Sequence, residues 1–281
     1  FASAYGINLA ADYVFANITS FGSLFAPLDT NSAPTSNNPS LNATDSPNNG
    51  TDANLTCYPQ AMADADNDAV WPMFSWYKNN QSYAVLNMPF NTNVSTTDAG
   101  IVMDYSGSNN NGTLGGGTAA YAPTWTSNGT LGGAYAFSGV SGNQVKVSDA
   151  TNLEINGSIT VEAWAKFNSL GTNQGIIGKC YYREFYLQKY ATDAIYFFHG
   201  NSSNYYTSIN SGEAVTTGKW YHIVATRDAS AQTWAIYMGG VLKYSGPYTM
   251  AGGVATSTSD VEIGNCGCID QPLNGSVDEV R

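Results

Sequence analysis

The stretch Ile159-Thr-Val-Glu-Ala-Trp-Ala-Lys-Phe167 decides the fold class of this chain. Val161, Ala163, Ala165 and Phe167 stand at every second position, as in a strand that buries one of its faces. Short runs of similar character surround it, separated by glycine-containing turns, at residues 134–137, 145–147, 175–178, 185–188, 194–198, 220–226, 233–238 and 261–263. Since this half of the chain carries no sustained helical period, the sequence predicts an all-β, antiparallel sandwich.

The composition restricts the partners of the protein. The 281 residues include 10 Lys+Arg and 21 Asp+Glu, which gives a formal net charge of −11, and no basic residue precedes Lys78. Phosphates and anionic lipid surfaces require a basic face, so we expect neither nucleic acid nor an anionic membrane as partner. There is no uninterrupted apolar run of about 18 residues, so no membrane span is predicted. The length suits two domains.

Asparagine, serine and threonine take the place of charge on the predicted surface. With 29 Asn and 53 Ser+Thr, chance would give roughly five Asn-x-Ser/Thr sequons. The chain has eleven, at Asn17, Asn42, Asn49, Asn54, Asn80, Asn93, Asn111, Asn128, Asn156, Asn201 and Asn274. The excess favours N-glycosylation over accidental matches in an Asn/Thr-rich β protein. N-glycans imply export, so we expect an extracellular or cell-surface protein.

The four cysteines are Cys57, Cys180, Cys266 and Cys268. In an exported chain they are expected to oxidise, and four cysteines allow three pairings. One residue separates Cys266 from Cys268, which would strain a bridge between them. Each is therefore expected to pair elsewhere, with Cys180 and Cys57, so that one bridge joins the two halves of the chain. A zinc site is the alternative, but only one close cysteine pair is present.

The chain divides into three parts. Residues 1–28 are apolar, and alternation over residues 13–21 favours an extended segment over a helix, one that would suit exchange into the sheet of a neighbouring copy. Residues 29–99 combine a linker, with a candidate strand near Leu41, and two strand patterns at residues 53–58 and 73–78. A Cys on one of these strands and a Trp on the next resemble a small immunoglobulin-like β-sandwich. Residues 100–281 form the larger sandwich.

Five motifs follow one another in the larger sandwich, at residues 133–139, 159–164, 218–222, 234–241 and 273–281, after a lead-in at residues 104–113. In this order they resemble a laminin-G-like domain of the concanavalin A-like lectin/glucanase superfamily. The resemblance covers residues 100–281 and implies an antiparallel jelly roll. The family pattern continues past the Asp-Glu-Val-Arg motif at residues 278–281 into one more strand. We therefore expect that strand to lie outside this chain or to come from a partner.

The sequence does not predict an enzyme. Glucanases of this superfamily carry Glu-x-Asp-x-Glu on one strand, which places a nucleophile and an acid on the same face. Here Glu162 stands alone, and Asp278 and Glu279 are adjacent, so that a strand would point them to opposite sides.

A structural Ca²⁺ ion is a candidate cofactor at two places. Asp64, Asp66 and Asp68 stand at alternate positions, although the Gly and Glu of an EF-hand loop are missing and a solvated turn is the alternative. Laminin-G-like domains often hold one structural calcium ion. The resemblance implies a set made of Asp278 and the backbone oxygens near Ser138 and Gly139.

Two functions lead from these patterns. The favoured one is a secreted, glycosylated structural subunit of a filament, sheath or surface layer, assembled from copies of this chain by strand exchange. The other is a carbohydrate-binding adhesin or lectin module; a glycosidase with an unrecognised site is a weaker third. Aromatic residues near turns would stack on sugars, although tyrosine suits any β-rich surface. These candidates are Tyr181, Tyr182, Tyr205, Tyr206 and Tyr248.

Overall fold

The computed structural model describes residues 32–43, 55–67, 70, 72, 74, 76–78, 81–94, 100–248, 250 and 253–281. Contacts divide the chain into two compact units, residues 1–81 and residues 82–281. The apolar segment of residues 1–28 lies outside the described residues, so its conformation and its exchange between copies stay predictions.

The first unit is described as short antiparallel ladders. Strand β1 (Thr35–Ala43) pairs with β2 (Leu55–Ala63), and β3 (Tyr77–Lys78) pairs with β4 (Gln81–Ser82). The candidate strand near Leu41 is confirmed, since Leu41 stands opposite Cys57 in the first ladder. Among the described residues, the predicted strand around residues 53–58 pairs with β1, and the one around residues 73–78 pairs with β4. The immunoglobulin-like module stays a prediction.

The second unit is made of strands with three single-turn 3₁₀ helices, at Gly115–Gly117, Ala119–Tyr121 and Thr151–Leu153. Its strands are β5 (Ile101–Val102), β6 (Gly112–Leu114), β7 (Thr124–Thr126), β8 (Ala134–Ser138), β9 (Val145–Val147), β10 (Ile159–Phe167), β11 (Gln174–Gly178), β12 (Tyr186–Lys189), β13 (Ala194–Gly200), β14 (Tyr206–Ala214), β15 (Trp220–Asp228), β16 (Thr233–Met238), β17 (Val241–Pro247), β18 (Val261–Ile263) and β19 (Asn274–Asp278). The predicted all-β class is confirmed.

These strands form two antiparallel sheets. The seven-stranded sheet has the order β17-β16-β15-β10-β19-β8-β7, and the eight-stranded sheet has the order β14-β13-β12-β11-β18-β9-β6-β5. Strands distant in sequence lie side by side, as when β19 inserts between β10 and β8. The pattern is that of a jelly-roll sandwich. The Asp-Glu-Val-Arg motif begins at the end of β19, whose Val277 is fully buried.

The hydrophobic core lies between the two sheets. In β10 the four alternating apolar residues from Val161 to Phe167 are buried, and the residues between them are half-buried. Leu86, Met88 and Phe90 belong to this core, and Met88 makes an antiparallel bridge with Val280. The second unit therefore begins before the predicted boundary at residue 100, because these apolar residues belong to its core.

A buried histidine lies on the inner face of β13. His199 is fully buried, its ring stacks on the indole of Trp234 at 4.5 Å, and neither ring nitrogen has a hydrogen-bond partner. The guanidinium of Arg227, also buried, donates to the carbonyl oxygens of Ile155, Gly157 and Glu184. Burial, with a smaller effect of the Arg227 charge, lowers the pKa of His199 to about 3. This histidine is therefore neutral in the folded protein.

Candidate functional site

A groove of about 470 Å³ lies on the outer face of the eight-stranded sheet, over β11 to β14. Six aromatic side chains line it: Tyr181, Tyr186, Tyr190, Tyr196, Phe198 and Tyr206. Polar or aliphatic side chains complete the lining: Asn173, Gln188, Ser208, Ile269 and Gln271. We call this feature the aromatic groove.

The two-residue period of the strands directs these rings outward. On β13, Ile195 and Phe197 enter the core, so Tyr196 and Phe198 point to the opposite face. On β12, Leu187 enters the core in the same way and leaves its two neighbours in the groove. The eight-stranded sheet therefore has an inner face that packs in the core and an outer face that carries aromatic side chains.

Glycine on β11 makes room for the ring that forms the floor of the groove. A Cβ atom at Gly178 would lie 2.4 Å from Cδ2 of Tyr186, and one at Gly175 would lie 2.7 Å from its hydroxyl oxygen. The Tyr186 ring therefore lies flat against the backbone of β11. Its hydroxyl donates to Oε1 of Gln271 at 3.0 Å.

The rings follow one another along the groove. The ring centroids of Tyr190 and Tyr196 are 4.7 Å apart, and those of Tyr196 and Phe198 are 5.9 Å apart with planes inclined by 24°. Phe198 continues to Tyr206 at 6.1 Å, and Tyr206 meets Tyr181 edge-on at 4.8 Å. Tyr206 is 47% exposed and Tyr190 is 36% exposed, so the row is open to solvent at these two rings.

One polar group in the groove has no partner. Gln188 is 3% exposed, and its Oε1 makes no hydrogen bond. Burial raises the pKa of the Tyr186 and Tyr181 hydroxyls, so both phenols are neutral and can donate. The groove therefore offers flat apolar faces together with neutral hydrogen-bonding groups.

A disulfide holds one wall of the groove. Cys180 and Cys268 are bonded, with their Cα atoms 5.1 Å apart. The bridge ties Tyr181 to the segment that carries Ile269 and Gln271. It confirms one of the predicted pairings.

The second predicted bridge is wrong. Cys57 and Cys266 are free thiols, so no disulfide joins the two halves of the chain. Cys266 is buried beside Tyr186 and Phe198, its Sγ lies 3.9 Å from that of Cys268, and burial raises its pKa to about 12. It behaves as a small apolar residue under the groove.

The tyrosines chosen from the sequence fall in three places. Tyr181 and Tyr206 line the groove, and Tyr182 packs against Tyr181 at 5.0 Å. Tyr205 is 62% exposed but does not line the groove. Tyr248 is buried against His199 at 4.8 Å, so its assignment to a glycan site is wrong. Tyr186, Tyr196 and Phe198 were missed because β12 and β13 present apolar runs, which do not reveal the outward face.

The structure describes the calcium candidates in part, and the calcium ion stays a prediction. Oδ1 of Asp64 accepts the backbone N–H of Asp66, and Oδ2 of Asp66 accepts that of Ser32; Asp68 lies outside the described residues. Asp278 is fully buried, and its Oδ2 accepts from Thr130, whereas its Oδ1 has no partner.

The set implied by the family resemblance does not converge. Ser138 stands opposite Asn274 at the start of β19, whereas Asp278 ends that strand, so Ser138 and Gly139 do not join Asp278. Within the described residues, no cluster of three or more His, Cys, Asp or Glu could hold a metal ion.

The described sequons differ in accessibility. Asn42, Asn93, Asn128 and Asn156 are exposed, and Asn111 and Asn274 are half-buried. Asn201 is 4% exposed, and its Oδ1 accepts the backbone N–H groups of Ser203 and Tyr205. It is the least accessible of this group. Asn17, Asn49, Asn54 and Asn80 lie outside the described residues.

A cluster of charged side chains lies on the outer face of the seven-stranded sheet. Oε1 of Glu162 lies 2.9 Å from Nε2 of His222 and 3.3 Å from Nη1 of Arg281, and Arg281 also pairs with Glu279. The hydrogen bond from His222 lowers the pKa of Glu162, while burial raises the pKa of Glu279 to about 7. The imidazole also stacks on Trp164 at 5.0 Å. These contacts describe an ion-pair network.

Two antiparallel sheets packed face to face place the larger unit in the jelly-roll class of β-sandwich. The chain belongs to the concanavalin A-like lectin/glucanases superfamily: the Laminin_G_3 family model matches residues 137–281, more than half of its length. This confirms the predicted resemblance over residues 137–281. No curated protein sequence matches the chain. No described helix is long and apolar enough to cross a bilayer.

Solved structures show the same fold. The binding domain of Paraclostridial Mosquitocidal Protein 1 superposes with a TM-score of 0.53 and 12% identity, covering 69% of this chain and 47% of that one. Domain 4 of AbnA, a GH43 extracellular arabinanase from Geobacillus stearothermophilus in complex with arabinotriose, gives 0.50 and 19%, over 70% and 90%. The ligand-binding domain of botulinum neurotoxin serotype D, in complex with N-acetylneuraminic acid, gives 0.52 and 18%, over 69% and 46%. The chain spans less than half of the two toxin chains.

Proposed function

We propose that this protein is an extracellular, non-catalytic carbohydrate-binding module that holds a glycan in the aromatic groove. The observation that carries the proposal is the row of six rings on one sheet face, with the unpaired Oε1 of Gln188 between them. Sugars present C–H faces and hydroxyl groups, which match aromatic faces and neutral amide groups. A hydroxyl that binds Gln188 would also recover the cost of an unpaired buried acceptor.

The relatives support this assignment. Domain 4 of the arabinanase is named as a complex with arabinotriose, and the neurotoxin domain as a complex with N-acetylneuraminic acid. Both share the sandwich fold with this chain. The Cys180–Cys268 disulfide and the exposed sequons at Asn93, Asn128 and Asn156 suit an exported protein.

The uncharged lining of the groove supports a function in binding sugars rather than in hydrolysing them. Canonical glycoside hydrolysis uses two carboxyl groups about 5–9.5 Å apart across the scissile bond. None of the described groove residues is Asp, Glu or His. The structural-subunit hypothesis depends on residues 1–28, outside the described residues, and stays a prediction.

The proposal is tested by substituting groove rings that the fold does not need. Tyr196→Ala and Tyr206→Ala are each expected to weaken binding to a glycan-array hit at least about tenfold, or about 1.4 kcal/mol, in calorimetric titration. Tyr244→Ala is the matched control, because Tyr244 is 38% exposed on β17 of the other sheet. Binding that survives both groove substitutions, or an array without hits, would overturn the proposal.

A further inference from the structure

The groove differs from many sugar sites in the charge around it. The described lining consists of phenols, one phenyl ring, amides, a hydroxyl and an aliphatic chain, with no basic group. Carboxylates lie at the end of the groove near β18. Glu262 stands opposite Gly178 in the β11–β18 ladder, where the Tyr186 ring lies on β11, and Asp270 directly precedes Gln271 of the lining. After the larger effect of burial, the charges of both also raise the pKa of the Tyr186 hydroxyl.

These carboxylates are held in place by neutral groups. Nε2 of Gln144 donates to Oε1 of Glu262 at 2.8 Å, and Nδ2 of Asn265 donates to Oδ1 of Asp270 at 3.1 Å. Oε1 of Gln144 in turn accepts from Asn265 at 3.0 Å. The network fixes acidic groups beside the floor of the groove without a cation inside the lining.

Three basic side chains near the groove are not part of its lining: Lys146, Arg183 and Lys189. Lys146 stands opposite Glu262 in the β9–β18 ladder, but its ammonium group pairs with Oδ2 of Asp260 at 2.6 Å. Lys189 is fully buried, and its ammonium group donates to Thr172 O at 2.8 Å and to Asp193 Oδ1 at 2.7 Å. Its charge is therefore already neutralised. Arg183 follows Tyr182 in the chain but is not part of the lining.

An anionic ligand would therefore lose its hydration without gaining a positive partner. Burial of an unpaired charge is costly, and the adjacent carboxylates and the net charge of −11 would add repulsion. A neutral ligand has no such cost, and its hydroxyl groups can donate to Gln188 or to the bordering carboxylates.

We infer that the aromatic groove selects uncharged sugar units and rejects sialic and uronic acids. The inference rests on the proposed function and specifies its ligand class. The neurotoxin domain shares this fold and is named as a complex with an acidic sugar, N-acetylneuraminic acid. We do not expect that ligand class in this chain, because the described groove lining contains no basic side chain that would pair with the carboxylate.

The test is a glycan array printed with matched pairs, each a neutral oligosaccharide and its sialylated or uronic acid counterpart. The neutral member is expected to bind at least about tenfold more tightly, with little change as ionic strength rises, because screening acts on charge pairs. The preference should vanish together with binding in Tyr196→Ala.

A charge introduced at the rim provides a second measurement. Ser208 lines the groove and stands opposite Phe198 in the β13–β14 ladder. Ser208→Arg is expected to reduce the neutral preference at least about threefold and to make binding of the acidic member salt-dependent. Ser208→Gln adds bulk without charge and measures the steric effect of a longer side chain at this position, so the change of preference in Ser208→Arg is counted relative to Ser208→Gln.

The outcomes separate the two proposals. Equal or tighter binding of the acidic members, still dependent on Tyr196, would overturn the selection of uncharged sugars and leave the carbohydrate-binding function intact. Absence of binding to every pair, or binding independent of the groove tyrosines, would overturn both.

Discussion

Replacing His199 with phenylalanine should remove a large pH dependence from the stability of the fold. The ring is fully buried, stacked on Trp234, and has no hydrogen bond at either nitrogen. Its pKa is lowered from 6.5 to about 3, mainly by burial. Between these two values the unfolded chain binds a proton at this position and the folded chain does not. Stability contributed by the neutral ring is therefore present above pH 6.5 and is lost as the pH falls.

The magnitude follows from the two pKa values. Between pH 7 and pH 5, protonation of an unfolded histidine of pKa 6.5 lowers the free energy of unfolding by about 2 kcal/mol, while the folded ring stays neutral. Glu279 acts in the opposite direction, because burial raises its folded pKa to about 7 and the folded state then takes up the proton first. The pH profile of the wild type alone thus mixes both effects, whereas the difference between wild type and His199→Phe isolates the histidine.

Urea unfolding followed by tryptophan fluorescence at pH 7 and pH 5 provides the measurement. His199→Phe keeps an aromatic ring against Trp234, and its stability relative to wild type should rise by about 2 kcal/mol on going to pH 5. The other histidine, His222, is partly exposed and hydrogen-bonded to Glu162, so the same gain should appear when His199→Phe is added to His222→Gln. A relative stability that does not change with pH would refute the description of His199 as a neutral buried ring.

Three further changes probe the groove and the surface. The double substitution Cys180→Ser with Cys268→Ser removes a disulfide between residues 88 positions apart and should lower the free energy of unfolding in urea by about 2–5 kcal/mol. It should also weaken glycan binding. Cys57→Ser, at a free thiol, should change neither the stability nor the binding. Gly178→Ala should displace the Tyr186 ring and cost about 1–3 kcal/mol, while Gly157→Ala, with open space around its Cβ position, should be tolerated; equal effects would contradict the packing of Tyr186 on β11. Peptide mass mapping of the protein from its native source should find glycans on Asn93, Asn128 and Asn156 and none on Asn201; a glycan on Asn201 would contradict its buried position.

The strands with clear alternation could be predicted closely from the sequence. The predicted bounds of β10, β16 and β18 are those of the structure. β14 and β17 were missed because they are polar, glycine-containing edge strands whose residues are largely exposed. Without a buried face, such strands have no alternation to detect.

The groove was harder to predict because its residues come together only through the pairing of strands in the folded sheet. Residues 194–198 read as one apolar run, and nothing within that run shows that Tyr196 faces away from the core. The choice between Cys57 and Cys180 as partner of Cys268 has the same origin: spacing along the chain does not give the distance between cysteines in the fold.

The side chains of β13 point alternately into the core and into the groove, and this alternation limits which mutations can change the ligand preference. Its inward residues pack in the core and fix the register, and its outward residues line the groove that we propose binds a glycan. A slip by one position would exchange the two sets at once and expose the core. New specificities should therefore arise by single replacements at outward positions, not by insertions, which makes this strand a convenient scaffold for engineered sugar recognition.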